Sequence, residues 1–187
     1  MEKLFLPKKG NYRDLKIYKI SFIIYVITSK FIEKYLKKGD RTIDQMLQAA
    51  RSGKQNIAEG CMAGITSSRT EIHLINVARG SLQELCLDYE DYLVTRSLER
   101  WELKSEITTR TREYCRSHNE YRDYKELIRR GTDEQLANLA IILIHQNDFM
   151  MERYINWLQK EFLKNGGIKE QMYNARVDYR SRNRSAK

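Results

Sequence analysis

The chain has 187 residues and a formal net charge of +9, and 41% of its residues are hydrophobic, so it is long enough for one domain with a substantial core. Its longest apolar run is far shorter than the roughly 18 residues of a membrane-spanning helix, and its three cysteines include no CxxC pair, which argues against a disulfide framework. We therefore expect a cytoplasmic protein that does not enter a membrane. A single proline and nine glycines leave long stretches without a helix breaker, and these stretches predict an all-α fold.

The basic residues are unevenly distributed along the chain. Residues 1–40 include ten basic and four acidic residues, and residues 162–187 include seven and two, whereas residues 41–99 include six and eight. A segregated positive field attracts polyanions, and an evenly mixed surface does not. The alternative is that the lysines and arginines only solvate the faces of helices.

The first long helix is predicted over residues 15–36, because Gly39-Asp40 follows as a stop signal. Its apolar residues form two stripes, whereas the surface helix of a monomer normally shows one. The stripes consist of Leu15, Tyr18, Phe22, Tyr25 and Ile32 on one face, and of Ile17, Ile20, Ile24, Ile27 and Phe31 on the other. We interpret one stripe as part of the subunit core and the other as a contact with another copy.

The second helix is predicted over residues 42–63, and the third begins at 67 or 68 and ends near 97. Small residues at positions 49–53 of the second helix allow another helix to approach closely. Glu71 is placed to complete a capping box at the start of the third helix. Apolar residues then recur three and four apart along this helix, which is typical of the seam of a helical bundle.

The second half of the chain is predicted to contain two shorter helices within residues 101–131, broken around 117–119, then a long helix from 132 to about 163 and a short one over 168–180. We therefore predict an antiparallel up-down four-helix bundle over 11–163, with a helical insert at about 100–131. Residues 1–10 are an N-terminal extension. Residues 164–187 form a basic suffix that contains the short C-terminal helix and is expected to be partly disordered.

Motifs for catalysis and for metal binding are missing from the sequence. Gly53-Lys54 lacks the earlier glycine and the following Ser or Thr of a phosphate-binding loop, and no GxSxG nucleophile motif occurs. No histidine stands in the Glu-x-x-His pattern of di-metal bundles, and Cys115-x-x-His118 is half of a zinc site. The polar run 145–148 is either a hydrogen-bonded layer, which we favour, or contains a base that faces a cleft. We expect no enzymatic activity, no catalytic residue, no metal site and no cofactor.

Four short segments stand in the order and spacing of a known family. They are YRDLKIY at 12–18, QNIAEG at 55–60, SSRTE at 67–71 and RGSLQEL at 79–85. With them, residues 11–97, and more loosely 132–161, resemble the four-helix bundle family that includes the proteins encoded in 23S ribosomal RNA intervening sequences and the accessory variability protein of diversity-generating retroelements. Lys54-Gln55 stand where the family usually has a proline, and the insert and the basic tail are additions, as in a longer variant with a suffix domain.

The resemblance implies an up-down bundle that assembles with further copies of itself into a ring, a homopentamer in known relatives. For the retroelement branch it also implies nucleic-acid binding and a reverse transcriptase as the protein partner. The family has no accepted catalytic residues, so the resemblance assigns none to this chain.

Polar residues of the second and third helices are predicted to form a structural clasp rather than a ligand site. Asn56 and Glu59 share one face of the second helix, and Arg69 and Arg79 belong to the third helix, which must pack against it. A half-buried polar group has to find a partner, so either a Glu59–arginine pair or an Asn56 amide that bonds across the helices would fix their register.

Two functions remain open from the sequence. The first is a non-catalytic oligomer that binds RNA or DNA through charge and shape, because no helix-turn-helix, zinc-finger or RNA-recognition motif is present. Its candidate phosphate contacts are Lys19, Lys30, Lys34, Lys37, Lys38, Arg41, Arg176, Arg180, Arg182 and Arg184. The second is a scaffold or adaptor that binds protein, with its positive ends steering an acidic partner.

Overall fold

The computed structural model describes residues 10–184, and every regular element in that range is a helix. Residues 1–9 and 185–187 lie outside the described residues, and with them nearly all of the predicted N-terminal extension and the end of the suffix. Within residues 10–184, a short 3-10 turn at Tyr12–Asp14 precedes seven α-helices. In chain order, α1 to α7 span Lys16–Tyr35, Thr42–Ala63, Ser68–Thr95, Glu106–Ser117, Tyr121–Arg130, Asp133–Asn165 and Ile168–Arg184.

The predicted helices are confirmed with small shifts of their ends. Helix α2 has the predicted bounds, and α1, α3 and α6 differ from them by one or two residues. The predicted break at 117–119 separates α4 from α5. Helix α7 extends to Arg184 rather than to residue 180, so this part of the suffix is helical.

Helices α2 and α3 pack antiparallel, and two glycines allow their close approach. Gly53 lies against Leu82, so that a Cβ atom built on it would come within 2.6 Å of the leucine side chain. Gly60, further along α2, lies against Leu74, which precedes Leu82 in α3. The reversal of order shows that the two helices run in opposite directions. The small residues of α2 therefore serve helix packing, as the sequence predicts.

Helix α6 packs antiparallel to both α3 and α1. Its first turn meets the end of α3, where the Tyr92 hydroxyl donates to Asp133 at 3.0 Å. Further along, Tyr154 donates to Glu71, near the start of α3, at 2.7 Å. Helix α1 also packs against α2. Each of the four long helices α1, α2, α3 and α6 therefore packs against two of the other three.

The core between these helices is aliphatic, with an aromatic cluster near the end of α1. Phe31 is fully buried, and its ring lies edge-on to Tyr89 and Tyr92, at centroid distances of 5.0 and 4.6 Å. The buried Tyr89 hydroxyl donates to Thr28 at 3.0 Å, which satisfies it inside the core. The three rings tie α1 to the far end of α3.

The insert, α4 and α5, lies beside α1. Its two helices are joined by tyrosine hydroxyls that donate to backbone carbonyls: Tyr114 to Asp123 at 2.7 Å, and Tyr124 to His118 at 2.8 Å. The ring of Tyr121 packs edge-on against Phe22 of α1, with centroids 6.1 Å apart.

This contact bears on the stripe of α1 that includes Tyr18, Phe22 and Tyr25. Phe22 is still 37% exposed, whereas Tyr18 packs against Tyr12 and Tyr25 lies under the ammonium group of Lys54, so both are half-buried within a single subunit. The chain itself therefore covers part of this stripe, and a contact between the stripe and another copy stays a prediction. The sequence could not show this, since α4, the first helix of the insert, begins 71 residues after α1 ends.

The start of α3 also differs from the prediction. Ser67 caps the helix by accepting from the backbone N–H of Thr70 at 3.2 Å. Glu71 forms no capping box, because its side chain is fully buried and accepts the hydroxyl of Tyr154 instead. A buried carboxylate needs such a partner, and α6 supplies it.

Candidate nucleic-acid interface

The turn between α1 and α2 exposes the densest group of unpaired cations among the predicted phosphate contacts. Gly39 adopts φ +94°, which favours glycine, and turns the chain away from α1. The Asp40 side chain then accepts from the backbone N–H of Thr42, the first residue of α2, at 2.9 Å, whereas Arg41 holds the N-cap position. These local bonds position Lys37, Lys38 and Arg41 on the surface.

None of these three cations has a carboxylate within 4.0 Å among residues 10–184. The turn itself contains one acid, Asp40, and hydrogen bonds from Thr42 lower the pKa of its carboxyl group. Arg96, at the end of α3, adds a fourth exposed cation, and its field lowers the same pKa slightly. Its guanidinium lies 3.9 Å from the ring centroid of Tyr92, which orients it at this end of the subunit. We call Lys37, Lys38, Arg41 and Arg96 the turn cluster.

Arg96 was not among the residues predicted from the sequence. Arg96 is the one basic residue within the acidic stretch 84–99 of the sequence. Only the packing of α3 against α1 and α2 brings it to the turn. The signal that could have found it is topological, because an antiparallel arrangement places the end of α3 beside the α1–α2 connection.

The other predicted cations of α1 are engaged within the subunit. Lys19 forms an ion pair with Glu120 at 2.6 Å, and Lys30 pairs with Glu33 at 2.7 Å. Lys34 donates to the backbone carbonyl of Gly131 at 3.1 Å, at the end of α5. Two of these three lysines therefore contact the insert, which the sequence pattern did not predict.

The cations of α7 lie in a different part of the subunit. Arg176, Arg180 and Arg182 are exposed, and the side chain of Arg184 lies outside the described residues. Helix α7 begins beside the start of α3, where a cleft is lined by Ser67, Asn165 and Ile168. The turn cluster is at the end of α3, a 28-residue helix of about 42 Å. One subunit therefore does not join the two predicted sets into a single surface.

The predicted polar clasp exists only in part. Asn56 donates to the backbone carbonyl and to the hydroxyl of Ser52, at 2.9 and 3.0 Å. The Ser52 hydroxyl in turn contacts that of Ser81 in α3 at 2.9 Å, so a serine makes the connection between the helices. Glu59 and Arg69 are exposed, and the predicted Glu59–arginine pair is not formed. A glutamate on the solvent side of α2 has water as a partner and needs no arginine.

Arg79, the fourth member of the predicted clasp, bonds to α6 instead of α2. Its guanidinium donates to both carboxylate oxygens of Asp148, at 2.7 and 3.2 Å. These bonds raise the pKa of Arg79 above its ordinary value. The pair is a structural bond between α3 and α6, and it accounts for one member of the polar run 145–148.

Two more members of that polar run bond to other helices, so the predicted hydrogen-bonded layer is formed in part, and the buried Oδ1 atom of Asn147 accepts no hydrogen bond from the described residues. Asn147 is fully buried and donates to the hydroxyl of Ser21 in α1 at 2.8 Å. Gln146 donates to the carbonyl of Cys115 in α4 at 3.2 Å. The run thus connects α6 to three neighbouring elements.

His145, the remaining member, belongs to a small cluster with Cys86 and Glu90 of α3. The Cys86 sulfur lies 3.9 Å from the His145 Nε2 atom and 4.0 Å from a Glu90 oxygen. Thiol, imidazole and carboxylate are metal-ligating groups. However, Arg100 forms an ion pair with Glu90 and brings a positive charge into the cluster. Burial raises the pKa of Cys86 to about 11, so the thiol is neutral near pH 7. We attribute the cluster to helix packing.

Comparisons with protein-family models, with curated proteins and with solved structures found no match to this chain. The family resemblance of the four segments therefore remains a prediction. None of the helices within residues 10–184 is long and apolar enough to cross a lipid bilayer.

Proposed function

We propose that the protein is a non-enzymatic, homo-oligomeric helical protein of the cytoplasm that binds RNA or DNA through charge and shape. In this proposal α1, α2, α3 and α6 form an up-down four-helix bundle of the family found in 23S ribosomal RNA insertions and retroelements. The antiparallel contacts between these helices support that arrangement. The family resemblance supports a ring, a homopentamer, and a reverse transcriptase as a possible class of protein partner.

The observation that supports nucleic-acid binding most directly is the turn cluster. Its four cations are exposed at one end of the subunit, and none of them has a carboxylate within 4.0 Å among residues 10–184. Unpaired cations release condensed counterions when they meet phosphates, and this release drives binding. In a symmetric ring each copy would add a turn cluster, so affinity would rise with the number of phosphates contacted.

Binding to a structured RNA hairpin and to duplex DNA, measured by fluorescence anisotropy at about 50 and about 200 mM salt, tests this proposal. We expect binding at low salt that weakens steeply as salt rises. The variant K37Q/K38Q/R41Q should bind at least about tenfold more weakly, with a shallower salt dependence.

The matched control is K160Q/K164Q/K169Q, which removes the same charge from exposed lysines near the end of α6 and the start of α7. It should bind nearly as the unmodified chain does. Absence of binding at low salt, or equal losses in both variants, would contradict an interface at the turn cluster.

A protein adaptor is the second candidate function, and one observation favours it. The first turns of α6, together with α4 and α5, enclose an open cleft of about 650 Å³. Its apolar lining comes from Trp101, Ile107, Leu127, Leu136 and Leu139. A concave apolar surface fits a partner side chain or helix better than it fits phosphates. If nucleic acid does not bind, L127E should abolish capture of a protein partner whereas K37Q/K38Q/R41Q should not.

A further inference from the structure

The outward face of α3 has apolar side chains that no other part of the described chain covers. Val77, Leu87 and Val94 are 38%, 60% and 76% exposed. They lie on the side of α3 that is opposite its buried residues, such as Leu82 and Tyr89. Leu87 and Val94 are two turns apart, and Val77 lies about three turns before Leu87, so the three share one face. We call this side, with Gly80, the outer α3 face.

Gly80 in the middle of this face has no structural reason within the subunit. A Cβ atom built on Gly80 would have no atom within 4 Å, whereas those on Gly53 and Gly60 would meet Leu82 and Leu74. A glycine inside a helix weakens it relative to alanine. In α2 that cost is offset by close helix packing, and at Gly80 nothing in residues 10–184 offsets it. The glycine therefore indicates a helix that approaches from outside the subunit.

The outer α3 face is bordered by carboxylates without cationic partners. Glu84, Asp88 and Asp91 have no lysine or arginine within 4.0 Å among the described residues. Partial burial, with the charges of Asp91 and Glu84, raises the pKa of Asp88. The acids thus repel one another in the single subunit, and a basic partner would relieve the repulsion. A second α3 face would bring acid against acid and is disfavoured.

Helix α7 offers the complementary surface, because most of its length lies exposed beyond the cleft at its start. No other helix packs along it within residues 10–184, and Met172, Tyr173, Val177 and Tyr179 are 46–70% exposed. Arg176 and Arg180 lie one turn apart between these apolar side chains, and both are exposed. An isolated helix of 17 residues is marginal in water. Its apolar and cationic residues therefore call for a surface that is both apolar and acidic.

We propose that α7 of one copy packs across the outer α3 face of a neighbouring copy, with Gly80 allowing close approach and Arg176 and Arg180 facing Glu84 and Asp91. The proposal rests on the homo-oligomer proposed above and names the surfaces that join its copies. Because the two surfaces differ, the contact is head-to-tail, and it closes into a ring if the rotation per copy allows. It assigns Arg176 and Arg180 to protein contact rather than to phosphate.

Light scattering of the full chain without nucleic acid tests the contact. Reversal of either side, E84K/D91K or R176E/R180E, should lower the mass toward that of one subunit, because like charges then meet. The four changes combined in one chain should restore the oligomer. Mixing the two reversed variants should restore association as well, because each surface of one variant then meets the opposite charge on the other. The mixed assemblies should be open chains or rings with an even number of copies, since strict alternation does not close a ring of five. The control D44K/E59K makes the same change of charge on the exposed side of α2 and should leave the mass unchanged.

A second variant separates the contact from general charge effects. G80Q places a bulky side chain where the subunit has open space, so helicity should not fall, and in the monomeric R176E/R180E background the melting temperature should not fall either. In the otherwise unmodified chain the dissociation constant of the oligomer should rise at least tenfold. Unchanged mass in both reversals would overturn the proposed contact even if nucleic acid binds. A monomeric full chain would overturn it too. Loss of nucleic-acid binding with the oligomer and its charge dependence intact would overturn only the proposed function.

Discussion

Arg79 of α3 donates two hydrogen bonds to Asp148 of α6, at 2.7 and 3.2 Å, and so joins two helices through residues 69 positions apart. Both side chains are about one quarter exposed, and the geometry is bidentate, which makes such pairs stronger than most surface ion pairs. Removing either partner leaves the other charge half-buried.

The Arg79–Asp148 pair should therefore show measurable coupling. We expect R79A and D148A each to lower the free energy of unfolding by about 1–3 kcal/mol, with a coupling of about 1 kcal/mol in a double-mutant cycle. Urea denaturation measures both quantities. The exposed Lys30–Glu33 pair is the control, and its coupling should stay below about 0.5 kcal/mol. Equal coupling in the two cycles would show that Arg79 stabilises no more than a surface residue does.

The two helix glycines Gly53 and Gly80 should respond oppositely to alanine. A Cβ on Gly53 would lie 2.6 Å from the fully buried Leu82, so G53A should destabilise the protein by about 1–3 kcal/mol. Within one subunit Gly80 has open space around it, so in the R176E/R180E background, which removes the proposed contact with another copy, G80A should stabilise the helix by about 1 kcal/mol. Thermal unfolding of both variants measures the difference, and a stabilising G53A would mean that α2 and α3 pack less closely than described.

The bond network around Asn56 should contribute modestly to stability and not to function. N56A removes the amide that orients Ser52 toward Ser81, and we expect a loss of about 0.5–1.5 kcal/mol, which corresponds to a few degrees in melting temperature. Nucleic-acid affinity should remain the same in the anisotropy assay. A fall in affinity without a fall in melting temperature would instead indicate a ligand site at Asn56.

Stability should fall at alkaline pH because of two buried thiols. Burial raises the pKa of Cys86 and of Cys115 to about 11, from an ordinary value near 9. Between these values the unfolded chain loses the thiol protons and the folded chain keeps them. The unfolded state then binds fewer protons, so the free energy of unfolding decreases as pH rises, by at most about 1.4 kcal/mol per pH unit for each thiol.

Denaturation at pH 8 and at pH 10.5 measures this decrease. A C86A/C115A variant is the control, since its stability should depend less steeply on pH than that of the unmodified chain. Identical slopes for the two proteins would show that lysine and tyrosine titration, and not the thiols, governs alkaline stability.

The sequence by itself determined the helices. Periodic apolar residues, few glycines and a single proline are local signals, and a helix is built from bonds between residues four apart. The bounds of α2 and the break before α5 could therefore be predicted from neighbouring residues. The polar run of α6 was predictable in part as a bonded layer, because a buried amide favours a partner wherever it lies, although only the Nδ2 atom of Asn147 finds one.

Only the tertiary structure decided which partners those residues find. Phe22 of α1 meets Tyr121 of the insert. Arg79 bonds to Asp148 rather than to Glu59, and Glu71 accepts from Tyr154 instead of capping its own helix. Each of these contacts joins residues 69 to 99 positions apart. The choice among several possible carboxylates or apolar faces depends on how the helices pack side by side, and local periodicity contains no information on that packing.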